Sequence, residues 1–203
     1  ELGRTREALA IFAALDPADA ALRRQMRHLL RTRLPTFGAV LRDALGPAYL
    51  PLLLEALEKK GEYPDDELAA LRLGATADLE DLPDAGDRAA HLARAGLLTL
   101  RGGTWKTARK FDQAEADFAA AASLLTTELP TPDARDPTLA TIELRRAELA
   151  AAQGRLDDAL AAAARALGRA PDPEWMAQRL QISPMLAPLR DDPRGQALFA
   201  SVR

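Results

Sequence analysis

The segment from Leu144 to Asp172, LRRAELAAAQGRLDDALAAAARALGRAPD, decides the fold of this protein. It predicts two helices joined by a short turn. Gly154 is expected to end the first helix, because glycine readily adopts the left-handed conformation that terminates helices. Asp157 and Asp158 place negative charge at the start of the second helix, where the helix dipole favours it. Pro171 stops that helix, so the segment predicts an antiparallel helical hairpin.

This hairpin resembles the tetratricopeptide repeat (TPR), a helical hairpin of about 34 residues that stacks into solenoids. Ala159 and Ala166 are seven residues apart on one helix face, which lets two helices approach closely. The first helix departs from the family pattern, since Arg146 and Ala147 stand where Leu and Gly are usual. The family's glycine, turn hydrophobe, two small residues and closing proline match Gly154, Leu156, Ala159, Ala166 and Pro171.

A second TPR-like unit covers Ala95–Glu128. Phe111 matches the turn hydrophobe, and Gly102 and Trp105 match the glycine and aromatic of the first helix. The small, aromatic and small positions of the second helix match Ala114, Phe118 and Ala121. A segment with three prolines follows, and its last proline, Pro137, is expected to open the next helix.

These units lead us to expect an all-α protein, a TPR-like solenoid of antiparallel helical hairpins that is irregular in the middle. Because the first residues resemble the second half of a repeat, we expect a piece of a larger bacterial signalling or regulatory protein. The expected segments are a partial repeat at 1–17, an irregular helical region with a degenerate repeat at 18–90, repeats at 95–128 and 140–173, and a helical cap at 174–203. In the irregular region we expect helices at Ala18–Arg33, Pro35–Leu45, Pro47–Lys60, Asp65–Leu73 and Asp87–Leu100.

The composition favours helices and argues against several classes of partner and site. Hydrophobic residues make up 48% of the 203 residues but aromatic residues only 4%, because Ala and Leu, two strong helix formers, dominate. The net charge of −3 does not favour a nucleic-acid partner, which would need clustered Lys and Arg. The absence of cysteine excludes disulfides and thiolate sites. No apolar run is long enough for a membrane span, and we expect a cytoplasmic protein.

No pattern in the sequence indicates catalysis, so we expect no enzyme, no cofactor and no metal. The run Gly102–Thr107 lacks the glycine spacing of a phosphate-binding loop, and a helix bent or interrupted near Gly103 is the expected structure. His28 and His91 have no second metal ligand at helical spacing. The acidic residues around Pro83 are interpreted as caps and solvated loop residues: Asp78, Glu80, Asp81, Asp84 and Asp87.

The TPR resemblance implies a groove lined by the first helix of each hairpin, which binds a protein or peptide partner. Its charges are mixed, which favours a helix or an internal segment over a free carboxyl terminus. Trp105 is a possible anchor for an acidic segment, among Arg101, Lys106, Arg109 and Lys110, but large aromatics more often fill a core. By position, the groove residues are Thr99, Gly103, Lys106, Thr141, Leu144, Arg145 and Glu148.

An alternative is a regulatory or sensor domain of a transcriptional regulator, because residues 62–82 loosely resemble a helix-turn-helix. In that interpretation Leu68, Ala69 and Leu71 pack the first helix, Gly74 makes the turn, and Ala77–Leu82 starts the recognition helix. The charge of the window argues against DNA contact, since it carries many carboxylates and only one basic residue, Arg72.

Overall fold

A computed structural model describes residues 49–58, 65–77, 79, 88–126 and 135–202. The expected partial repeat at 1–17 and the helices expected at Ala18–Arg33 and Pro35–Leu45 lie outside these residues. Every regular element in the described ranges is a helix, which confirms the all-α class. Among the described helices, none combines the length and the apolar run that crossing a bilayer would need.

The α-helices are α1 (Tyr49–Glu58), α2 (Asp65–Ala75), α3 (Arg88–Thr107), α4 (Phe111–Thr126), α5 (Pro137–Ala152), α6 (Leu156–Arg169), α7 (Pro173–Ile182), α8 (Ala187–Asp191) and α9 (Pro193–Ala200). A 3-10 helix, Pro184–Leu186, lies between α7 and α8. The chain divides into two compact units, residues 1–101 and 102–203, and the division falls within α3.

In the first unit, α1 buries one apolar face, with Leu50, Leu53 and Leu57 in the interior. Arg72 of α2 donates hydrogen bonds from Nε and Nη2 to the carbonyl of Leu57, at 3.1 and 2.9 Å. The last carbonyls of a helix have no partner within it, so this arginine satisfies the end of α1 and holds α2 against it.

The local structure around Gly74 differs from the one that the helix-turn-helix interpretation requires. Helix α2 continues through Gly74 to Ala75, so the turn expected at Gly74 is wrong. Glycine lowers helix propensity but keeps its N–H donor, which lets the helical hydrogen bonds continue. Ala77 and Leu79 lie in a turn, and residues 78 and 80–82 are outside the described residues.

Helix α3 runs without a break to Thr107, so the interruption expected near Gly103, and a helix end at Leu100, are wrong. Within the second unit the Phe118 ring of α4 packs against Gly102. A Cβ added at Gly102 would lie 2.7 Å from Cε1 of that fully buried ring, whereas one added at Gly103 would meet no atom within 4 Å. Gly102 therefore allows a close helix contact, and the same helix continues past it.

These adjacent glycines give a matched pair of variants. We expect Gly102→Ala to lower the free energy of unfolding by about 1–3 kcal/mol, because the buried Phe118 ring must move. We expect Gly103→Ala to raise it by up to about 1 kcal/mol, since alanine is the better helix former. Chemical denaturation of both variants measures the difference, and equal effects at the two positions would contradict the packing.

Helices α3 and α5 end in the same hydrogen-bonded turn. After α5, the N–H of Gly154 donates to Ala151 and that of Arg155 donates to Ala150, at 3.0 and 2.9 Å. This is a Schellman motif, and Gly154 has the left-handed φ of 72° that it requires, as expected from the sequence.

After α3 the corresponding bonds join Arg109 to Lys106 at 3.1 Å and Lys110 to Trp105 at 2.9 Å. Here the left-handed residue is Arg109, with φ of 58°.

The left-handed position therefore holds a glycine in one turn and an arginine in the other. We expect Arg109→Gly to raise the free energy of unfolding by about 1 kcal/mol, because it removes the Cβ strain of that conformation. We expect Gly154→Ala to lower it by a similar amount. Thermal and denaturant unfolding test both changes, and a destabilised Arg109→Gly protein would refute this account of the turn.

Helices α5 and α6 form the hairpin expected from the sequence. Ala147 of α5 and Ala159, Ala163 and Ala166 of α6 are fully buried in one core, which confirms the close helix contact expected at Ala159 and Ala166. Asp136 caps α5 by accepting hydrogen bonds from the N–H groups of Thr138 and Leu139, both at 2.8 Å.

The helices after the hairpin extend the same core. Helix α7, the 3-10 helix, α8 and α9 pack on α5 and α6. Their apolar side chains fill its open side: Met176, Leu180, Leu186, Leu189 and Phe199. The chain from 173 to 202 thus covers the hairpin with short helices.

Candidate partner-binding residues and a buried charge network

The seven residues expected to line a groove are distributed over both compact units. Thr99 lies in the first unit, where its hydroxyl donates to the carbonyl of Ala95 at 2.7 Å. The other six belong to the second unit. Gly103 and Thr141 are partly exposed there, and the Thr141 hydroxyl donates to the carbonyl of Pro137 at 2.9 Å.

Three of the expected groove residues meet in one buried network. Glu148 is only 6% exposed. Its Oε2 accepts hydrogen bonds from Nζ of Lys106 at 2.6 Å and from Nη1 of Arg145 at 3.0 Å. Its Oε1 accepts one from Oγ of Ser183 at 2.9 Å. We call these four residues the Glu148 network; it connects α3, α5 and the residue that follows α7.

The network keeps a buried carboxylate ionised. Burial alone raises the pKa of Glu148, because a carboxylate loses its hydration. The charge and hydrogen bond of Lys106, the charge of Arg145 and the hydrogen bond of Ser183 oppose this, and the pKa ends below its ordinary value. At neutral pH the network is therefore an internal ion pair.

A pH dependence follows from this lowered pKa. The network stabilises the folded state above the unfolded pKa of about 4.3, and this stabilisation is lost as the pH falls through the lower folded pKa. We expect the difference in unfolding free energy between the wild type and Glu148→Gln to shrink as the pH falls from about 7 to below about 4. A difference that stays constant over this range would show that the charge of Glu148 contributes nothing.

A second buried carboxylate, Glu143, lies on another side of α5 and pairs with two arginines. Glu143 accepts hydrogen bonds from Nη1 of Arg146 at 3.3 Å and from Nε of Arg165 on α6 at 2.9 Å. Arg146 also pairs with Glu115 of α4 at 3.0 Å. Sequence reasoning did not select Glu143, although its spacing of three from Arg146 is a recognised helical pairing signal.

The other groove residues differ in how accessible they are. Leu144 is 2% exposed and belongs to the core shared with α6, so its side chain faces the protein interior. Arg145 keeps 38% of its side chain exposed. Helix α5 contacts α4, α6 and the 3-10 helix, so only a narrow strip of α5, which includes Arg145, faces solvent.

Trp105 lies at an intermediate depth, neither fully buried nor fully exposed. Nζ of Lys110 lies 4.8 Å from the centre of its ring, a cation–π contact. Lys106 is engaged in the Glu148 network. In the first unit, buried Arg101 donates to the carbonyl of Thr76 at 2.6 Å. The expected basic cluster is therefore divided among separate contacts, with Arg109 and Lys110 on the surface.

Helix α7 carries an exposed apolar surface that sequence reasoning missed. In the described part of the chain the exposed large hydrophobic residues are Trp175 (49%), Ile182 (77%) and Met185 (38%). Trp175 and Ile182 are seven residues apart, which places them on one face, two turns along the helix. Between them, Arg179 lies with its guanidinium carbon 5.0 Å from the Trp175 ring centre. We call Trp175, Arg179 and Ile182 of α7, together with Met185 of the 3-10 helix that follows, the α7 stripe.

The sequence holds one signal that points to this surface. Trp175 and Met176 are adjacent, so their side chains point about 100° apart around the helix, and only one of these two large side chains can face the centre of the core. Burial selects Met176, which is 1% exposed, and leaves Trp175 outside.

The described ranges contain no group of three or more His, Cys, Asp or Glu residues that could hold a metal ion. His91 is a half-buried residue of α3. His28 and the acidic residues Asp78, Glu80, Asp81, Asp84 and Asp87 lie outside the described residues.

Comparison with known proteins adds no relative: no family model matches this chain, and no match was found among curated proteins or solved structures.

Proposed function

We propose that this protein is a non-enzymatic protein-interaction module that binds a helical or extended segment of a partner, or of the larger protein to which it belongs. The observation that carries the proposal is the α7 stripe. Trp and Met are enriched at protein interfaces, and exposed large apolar side chains on one helix face favour burial against another surface.

The rest of the second unit supports this role as a scaffold. Short polar turns with Schellman hydrogen bonds end α3 and α5, and two buried carboxylates hold neighbouring helices together. A surface whose backbone is fixed in this way loses little conformational entropy on binding. The TPR-like pattern of the hairpins leads us to propose a place in a cytoplasmic bacterial signalling or regulatory protein.

Photo-crosslinking from α7 tests the proposal. A crosslinking amino acid at exposed Gln178 is expected to capture a partner protein in a lysate of the source cells. Adding the double change Trp175→Ala and Ile182→Ala to this protein should abolish the capture. The same crosslinker at exposed Ala161 of α6 is the matched control. A capture that survives the double change, or none from either position, would contradict binding through α7.

A further inference from the structure

The α7 stripe contains a charge that suits a partner of a particular kind. Arg179 lies between Trp175 and Ile182, four residues after one and three before the other. Its guanidinium lies against the Trp175 ring, and no carboxylate of the described residues lies within ion-pairing distance of it. The stripe thus presents two apolar anchors with a cation between them.

The position of Arg179 disfavours a second copy of this chain as the occupant. If α7 packed antiparallel on its own copy with Trp175 against Ile182, Arg179 would lie within about 1 Å of the two-fold axis along the helix. Parallel packing would also place Arg179 against its copy. Both arrangements bring two guanidinium groups together in an interface that excludes water, and like charges placed this way oppose association.

We infer that the α7 stripe binds an amphipathic helix of a partner protein that places an acidic side chain between two apolar residues. This inference rests on the proposed function and specifies its partner. The two anchors lie about 10.5 Å apart along α7, the spacing of residues i and i+7 on a facing helix. Apolar residues at that spacing cover Trp175 and Ile182, and a carboxylate between them pairs with Arg179. Arg–carboxylate pairs are among the strong, geometrically specific contacts of interfaces.

Two synthetic helical peptides of about 16 residues provide the probe. Both carry a leucine face, and they differ only in a Glu or a Lys between two leucines seven residues apart. Fluorescence anisotropy with the full chain is expected to show about tenfold tighter binding of the Glu peptide. Arg179→Glu is expected to reverse the preference, and Trp175→Ala to weaken binding of the Glu peptide about 30-fold.

The control is Glu174→Gln, which changes a charge about a quarter turn away from the stripe and is expected to alter the affinity by less than about twofold. Trp175 and Arg179 lie at the surface, so their variants are expected to keep the wild-type circular dichroism and melting temperature.

Each remaining result has a defined meaning. Equal, Trp175-dependent affinity for both peptides would overturn the acidic partner but leave the proposed function standing. No binding of either peptide would overturn the inference, and absence of a crosslinked partner as well would remove the proposed function. A wild-type dimer in analytical ultracentrifugation that Trp175→Ala dissociates would identify a second copy as the occupant and overturn the inference.

Discussion

Replacing Glu148 by alanine is expected to lower the free energy of unfolding by about 3–5 kcal/mol, the cost of breaking a buried ion pair by removing one partner. Lys106, whose side chain is 9% exposed, would be left without the carboxylate that lies 2.6 Å away. The hydroxyl of Ser183 would lose its acceptor in the same step. Arg145 is more exposed and can turn to water, so most of the loss comes from Lys106.

A double change separates the broken pair from the lost volume. Lys106→Met with Glu148→Leu replaces both charges by apolar groups of similar size, and we expect it to recover most of the stability. Glu115→Ala is the surface control: its pair with Arg146 is partly exposed, and its loss is expected to cost less than about 1 kcal/mol. Urea denaturation of the three variants is the measurement, and a Glu148→Ala loss as small as the control's would refute a stabilising network.

Gly195→Ala is expected to destabilise the C-terminal helices by about 3 kcal/mol. At Gly195 the start of α9 crosses the end of α8, and an added Cβ would lie 1.9 Å from the carbonyl oxygen of Leu189 and 2.8 Å from its carbonyl carbon. These are backbone atoms, so relief requires α8 and α9 to separate. Their separation would open the core at Leu189 and Phe199.

Gly168→Ala on α6 is the matched control, because a Cβ there would meet no atom within 4 Å. We expect it to be neutral or to stabilise by up to about 1 kcal/mol. Amide hydrogen exchange locates the effect: in Gly195→Ala, residues 187–202 should exchange faster while the middle of α5 stays protected. Equal stability of the two alanine variants would show that α8 and α9 do not cross as closely as described.

Much of the second unit could be predicted from local sequence. Pro137 marks the start of α5, Gly154 marks its end and Pro171 follows α6, and the structure places the helix ends at those points. Each signal acts through its own backbone conformation or through hydrogen bonds to neighbours a few positions away. Such signals failed at Gly74 and Gly103, where glycine weakened a helix without ending it.

The candidate site was less predictable, as Leu144 and Glu148 show. Matching them by position to a repeat placed both on a groove, yet one lies in the core and the other is a buried ion pair. The TPR pattern assigns a helix face from a regular stack. Here short helices follow the hairpin and cover side chains that a regular stack would leave open.

The sequence by itself determined that this chain is helical, where the α5–α6 hairpin turns, and that alanines form its close contact. Only the tertiary structure decided which charges are internal and which apolar residues face solvent. The physical reason is distance along the chain: helix signals act within about four residues. By contrast, Lys106 and Ser183, which set the state of Glu148, are 42 and 35 positions away from it. Trp175 is exposed for the same reason, because the core that accepts Met176 is built by α5 and α6.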